Sequence, residues 1–210
     1  NIQIVWFKRD LRITDHRPIF EASLNSIATL PIYIVEIDYW KQPFSSKRHW
    51  SFIYDSLKEL RKDLKIIGQT LIVRVGSVKK IFADLSLQYN IKYIFSHEET
   101  GNKWTYDRDK EIENWCFKKN IYLKTFPSNG IVRRLKNRSD WSKIRNSRMR
   151  EDLIPTPTNI VPLLKIEEGK IPSREDSIFQ NNYTGTTQKG GRIEALKIID
   201  SFLAHRGKNY

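Results

Sequence analysis

The chain has 210 residues, 39% of them hydrophobic, with six Trp, nine Tyr and ten Phe, enough aromatic surface to build a core and to exclude a disordered chain. Its 37 Lys+Arg against 24 Asp+Glu give a formal net charge of +13, which suits an anionic partner (nucleic acid, nucleotide or phosphate) or a merely solvated basic surface. A single cysteine, Cys116, excludes an internal disulfide and any multi-cysteine metal site, and no apolar run reaches about 18 residues, so the expectation is a cytoplasmic chain with no membrane contact.

The first apolar run, "IQIVWF" (residues 2–7), ends directly in the charged stretch "KRDLRITDHRP". Further runs lie at 30–37, 70–75, 91–96 and 121–126, each rich in β-branched and aromatic residues and bounded by polar or turn residues. All five read as strands, and their near-continuous hydrophobicity suits a parallel sheet covered on both faces. Between them lie helical patterns. A short helix follows Pro18. In "SKRHWSFIYDSLKELRKDLKIIG", Phe52, Ile53, Leu57, Leu60, Leu64 and Ile67 recur at three- and four-residue spacing before Gly68. Ser77 is placed to cap a helix buried through Ile81, Phe82 and Leu85, and a third helix turns Trp104, Ile112 and Trp115 to one side. Cys116, flanked by apolar residues, reads as a buried structural thiol.

Strands alternating with helices predict right-handed βαβ units, hence an α/β fold: a Rossmann-like, doubly wound, five-stranded parallel sheet. A long linker and a short C-terminal helix follow it. In such sheets ligands bind beyond the carboxyl ends of the strands, where the strand order reverses. No Gly-x-Gly-x-x-Gly and no Walker-type loop is present in the sequence, which disfavours an ordinary NAD or ATP enzyme. Residues 130–150 carry eight Lys/Arg against Asp140 alone. If helical, Arg134, Arg138, Trp141, Arg145 and Arg148 fall on one face, a cationic stripe able to follow a nucleic-acid backbone or to remain solvated. A proline-rich stretch then reads as extended chain over a surface, and the last helix carries Ile193, Leu196, Ile199, Phe202 and Leu203 on one side.

Four segments in order carry a resemblance. "VWFKRDLRITDHRP" resembles the first strand and loop of the cryptochrome/DNA photolyase family. "SSKRHWSFIYDSLKELRKDLKIIGQTLIVRVGS", "HEETGNKWTYDRD" and "GGRIEALKIIDSFLAHRGKNY" are similar to its long helix, the loop after its fourth strand and its interdomain segment. The segment "VRRLKNRSDWSKIRNSRM" departs from the family pattern. The resemblance implies residues 1–128 as an α/β antenna domain and 129–190 as a basic segment and interdomain linker. Residues 191–210 then open a helical FAD-binding domain. It implies that the full-length parent is a deoxyribodipyrimidine photo-lyase or a blue-light sensor, with light passing from an antenna to FAD and on to UV-damaged DNA. This chain alone lacks the catalytic FAD domain, whose first contact would be Tyr210. The antenna is FMN, FAD, a deazaflavin or methenyltetrahydrofolate, and the molecule is expected to be a monomer bound in cis to its FAD domain.

By position, the resemblance assigns the antenna site to Lys8, Arg9 and Asp10 after the first strand, Ile37 and Asp38 after the second, and Ser46, Lys47 and Arg48 at the start of the long helix. Glu98, Glu99 and Thr100 after the fourth strand complete it. No catalytic residue and no metal site is assigned. His16 reads as a turn residue, Arg12 and Asp15 as loop structure, and Trp104, Trp115 and Trp141 as core. Glu98 and Glu99 read as acids complementing a helix dipole. The competing reading is a free-standing domain that binds nucleic acid or a protein through the basic stripe, without chromophore. A small nucleotide-binding protein fits the topology but not the motifs.

Overall fold

A computed structural model describes residues 1–133, 135–179 and 185–209. Two of the expected site residues, Arg134 and Tyr210, lie outside them. Five parallel strands, β1 (Ile2–Phe7), β2 (Ala28–Val35), β3 (Ile72–Val75), β4 (Ile91–His97) and β5 (Tyr122–Phe126), form one sheet in the order β3-β2-β1-β4-β5. All six residues of β1 are buried between β2 and β4, with Ile4 opposite Leu30 on one side and Ile94 on the other. The chain leaves β1 in one direction to build β2 and β3, then crosses back to build β4 and β5. The strand order therefore reverses between β1 and β4, and a crevice opens beyond their carboxyl ends.

The strand alternation feeds two cores. Val5 and Phe7 point to α1 (Arg17–Ser23) and α3 (Lys47–Ile66), where Trp50, Leu57, Leu60 and Leu64 are fully buried. Ile4 and Trp6 point to α4 (Val78–Gln88) and α5 (Lys103–Lys118), meeting Phe82, Ile112, Trp115 and Cys116. Burial pushes the Cys116 thiol up to about 12, so it stays protonated and unreactive. Ser46, Ser77 and Asn102 cap α3, α4 and α5 by accepting from the backbone N–H three residues on. Gly68, at φ 103°, supplies the left-handed turn that stops the α3 segment.

The proline-rich stretch does more than cross a surface. Ile160 N–H donates to Ile67 O, Thr29 N–H to Val161 O, and Val73 N–H to Glu168 O. Ile160 and Phe179 enter the core, the latter stacked on Trp50 at 4.1 Å between ring centroids and edge-on to Trp40. The segment thus straps the β2–β3 side of the domain. Gly190 then passes so close to α3 that a Cβ there would lie 1.9 Å from Phe52 O. This contact seats α7 (Arg192–Ser201), whose backbone is caught by Ser56 and Glu59 of α3. Ile193, Leu196, Ile199 and Leu203 of the last helical segment are exposed. No helix among the described residues is long and apolar enough to cross a membrane.

The segment 138–150 is helical in two pieces, a 3-10 turn at Arg138–Asp140 and α6 (Trp141–Arg148). Trp141 is 41% exposed, which corrects its reading as core: nothing packs over the segment to bury it. Trp104 is half-buried at the mouth of the crevice, and only Trp115 is core.

Candidate functional site

The charged opening loop folds into two buried clusters because β1 delivers it to the reversal point. In the first, Asp10 Oδ2 accepts from His16 Nε2 at 2.7 Å and from His97 Nδ1 at 2.6 Å, while Oδ1 accepts the Lys8 N–H. All three side chains are buried. Burial would raise the Asp10 carboxyl, but His16 and His97 outweigh it and hold it well below its usual range. Burial lowers His16 against the pull of Asp10, so the ring is neutral. A carboxylate with two imidazoles, their ligand atoms within 4.8 Å of one another, has the composition of a metal triad. The tautomer argues otherwise. His16 Nδ1 accepts the Ile19 N–H at the start of α1, so its proton is on Nε2, the atom that would have to ligate. The N···O contacts are those of hydrogen bonds, whereas two ligands about 2 Å from one ion sit roughly 3 Å or more apart. The cluster is a latch joining β1, α1 and β4, not a metal site.

The second cluster is centred on Arg108 of α5. Its guanidinium donates to Glu36 at 2.6 Å, to Glu99 at 2.6 Å and to Asp109 at 2.8 Å, beneath the ring of Trp6. Asp109 also takes Lys8 at 3.2 Å and Arg133 at 3.4 Å, and Glu99 takes Arg9 at 2.8 Å. Burial would lower Arg108, yet three carboxylates hold it above its ordinary value, and burial lowers Lys8 against the pull of Asp109. Burial pushes Glu36 up to about 7 in spite of Arg108, so one acid of the cluster titrates near neutrality. This network fills the inner end of the crevice and leaves a cavity of only about 60 Å³ between Trp6, Glu36, Tyr39 and Arg108.

The roomier site lies further out. A cleft of about 860 Å³ opens between the β1 loop, α2 (Ile37–Trp40), α3 and the start of α7. Its apolar walls are Tyr39, Phe44 and Phe52, and its cations Arg9, Arg12, Arg48 and Arg192; no carboxylate lines it among the described residues. Tyr39 is the pivot, with its ring edge-on to Trp104 and its hydroxyl held by Arg9 at 3.3 Å.

Of the residues expected from sequence, the cleft gathers Arg9 and Arg48. Lys8, Asp10 and Glu99 sit in the buried clusters. Ser46 is the α3 cap and Lys47 begins that helix; Ile37 and Asp38 open α2, where Asp38 faces water beside Lys41. Thr100 takes the Asn129 amide, and Glu98 lines a separate 150 Å³ cavity under β5. Glu98 and Glu99 do not complement a helix dipole: α5 starts only at Lys103, and Glu99 is spent on two arginines. His16 is a buried partner of Asp10 and the cap of α1, not a simple turn residue. Sequence reading missed Tyr39, Phe44 and Arg192, which lack any local pattern. It placed Phe52 in the core by helical period, although the side chain is 40% exposed and walls the cleft.

A doubly wound α/β domain with its order reversal between β1 and β4, its crevice packed by a buried ion cluster and an aromatic, cationic cleft beyond, defines the class. The DNA photolyase family model matches residues 3–140, and the chain belongs to that family, of which it forms the N-terminal α/β domain. It is 30% identical over 108 residues to the blue-light photoreceptor PHR2 of Arabidopsis thaliana, covering 47% of this chain and 23% of that protein. Its fold matches a Synechocystis cryptochrome with a TM-score of 0.75 at 19% identity, over 98% of this chain and 47% of that one. The archaeal photolyase from Sulfolobus tokodaii, solved with two FAD molecules, matches with a TM-score of 0.61 at 21% identity, over 77% and 38%. The chain thus spans less than half the length of these relatives.

Proposed function

We propose that this chain is the light-harvesting domain of a photolyase or cryptochrome, holding an antenna chromophore in the cleft between α3 and α7. The cleft itself carries the reading. Its volume of about 860 Å³ falls within the ~300–1,000 Å³ typical of ligand sites, whereas the 60 Å³ inner cavity falls far below it. Aromatic walls suit a flat heterocycle, and Arg12, Arg48 and Arg192 suit the carboxylates or phosphates of its tail. A folate, flavin or deazaflavin has this chemistry. Residues 1–128 act as the antenna domain and 129–190 as the connection, strapped on through Ile160 and Phe179. The exposed apolar side of the last helical segment suits a helical FAD-binding domain in cis, through which the whole protein acts on UV-damaged DNA or signals.

The test is to titrate the purified chain with methenyltetrahydrofolate, FMN, FAD and a deazaflavin, following absorption and fluorescence. Saturable binding of one of them, weakened about tenfold or more by Arg192→Ala and by Phe44→Ala, is expected, each loss being on the order of 1.4 kcal/mol. Failure of all four to bind would sink the proposal.

A further inference from the structure

The light-harvesting reading leaves the most cationic segment unused. Neither the turn at Arg138–Asp140 nor α6 has a buried residue. The helix is held from one side. Ile144 and Arg148 are half-buried, Arg148 Nη1 donates to Ile131 O at 2.7 Å and Asn129 O at 3.5 Å, and the Arg145 stem lies against Gly130. Arg148, which the sequence pattern put on the nucleic-acid stripe, is therefore an anchor. The opposite side of α6 faces water, where Lys143, Asn146, Ser147 and Arg150 line an open groove closed at one end by Glu151. Beside it Trp141 is 41% exposed, with the Arg145 guanidinium 5.6 Å from its ring centroid.

We propose that this surface binds single-stranded nucleic acid. Arg138, Lys143 and Arg150 meet successive phosphates, and the Trp141–Arg145 pair offers a base a flat stacking platform. Charge complementarity favours it: α6 itself contains no acid, and Arg138, Lys143 and Arg150 make no salt bridge among the described residues. An exposed aromatic set among cations is the element that single-strand sites add to a merely basic patch. A protein partner would want a dehydrated apolar centre, and the groove is polar throughout. The site is separate from the chromophore cleft and does not depend on it.

The experiment is fluorescence anisotropy of a labelled oligothymidylate of about 20 nucleotides with the whole 210-residue chain. Three phosphate contacts give a slope of about −2 in log K against log salt, hence about a 20-fold loss between 50 and 200 mM. The double variant Lys143→Ala/Arg150→Ala should leave about a threefold loss, and Trp141→Ala should weaken binding about tenfold at fixed salt. Because α6 buries nothing, the melting temperature of each variant should match that of the parent. Lys118→Ala/Lys119→Ala, at the exposed end of α5, removes the same charge elsewhere and should change little. Absence of saturable binding at 50 mM salt overturns the proposal. An equal effect from the α5 pair overturns it in favour of diffuse charge, and equal affinity for a labelled polyglutamate peptide overturns it in favour of an acidic protein.

Discussion

Replacing Arg108 by methionine tests the packed crevice most directly. The substitution keeps the stem against Trp6 and removes the charge that holds Glu36, Glu99 and Asp109 together. Side-chain exposures of 5–13% for these three acids leave them little water to turn to. Breaking a buried pair on one side costs about 3–5 kcal/mol. For a chain of this length that is a fall of roughly 10 °C in melting temperature, out of a total stability of about 5–15 kcal/mol. The loss has a pH signature. Without Arg108 the acids have folded-state pKa values raised above their unfolded values of about 4. Protonation then favours the folded state, so stability falls as pH rises from about 4 through the raised values. The deficit against the parent should be greater at pH 8 than at pH 5. Adding Glu36→Gln and Glu99→Gln to Arg108→Met should restore at least half of the loss at pH 8, since neutral amides need no counter-charge. Urea unfolding followed by circular dichroism at the two pH values reads all of this. A loss under about 1 kcal/mol at pH 8, or a triple variant weaker than the single one, would refute the buried-charge reasoning.

Two further outcomes follow from other parts of the fold. The Asp10 latch makes the domain acid-sensitive in two stages. His16, lowered by burial, stays neutral while its unfolded counterpart takes a proton below about pH 6.5, and Asp10, held low, loses its contribution only below about pH 4. Both shifts remove stability as pH falls; the Asp10→Asn variant, which cannot accept from both imidazoles and Lys8 N–H as a carboxylate does, should be about 3 kcal/mol less stable at pH 7, and a chemical-denaturation series flat from pH 7 to 4 would contradict the assignment. Phe179→Ala should cost about 3–5 kcal/mol, as for a central core residue, and an effect below about 1 kcal/mol in thermal melts would show that the strap is not part of the folded domain.

The chain order of strands and helices was legible in the sequence because each element carries its own period. The alternation of Ile4 and Trp6 against Val5 and Phe7, and the three- and four-residue spacing in α3, point to buried faces without any knowledge of partners. Family membership was legible too, since the opening loop and the long helix preserve residue types at fixed spacing. The same local signals failed where a side chain's role depends on what arrives from elsewhere. Phe52 keeps the helical period of α3 but faces the space between α3 and α7, so it walls a cleft instead of filling a core. Phe179 lies among polar residues after a proline-rich stretch, and only its docking between Trp40 and Trp50 makes it core. Asp10, His16 and His97 are 6 and 87 residues apart along the chain, and Arg108 meets Glu36 across 72. Periodicity fixes which way a residue faces on its own element. What it then meets is decided by the parallel crossovers that bring β1, β2 and β4 side by side, and there the tertiary structure alone turns scattered charges into a latch, an ion cluster and an open cleft.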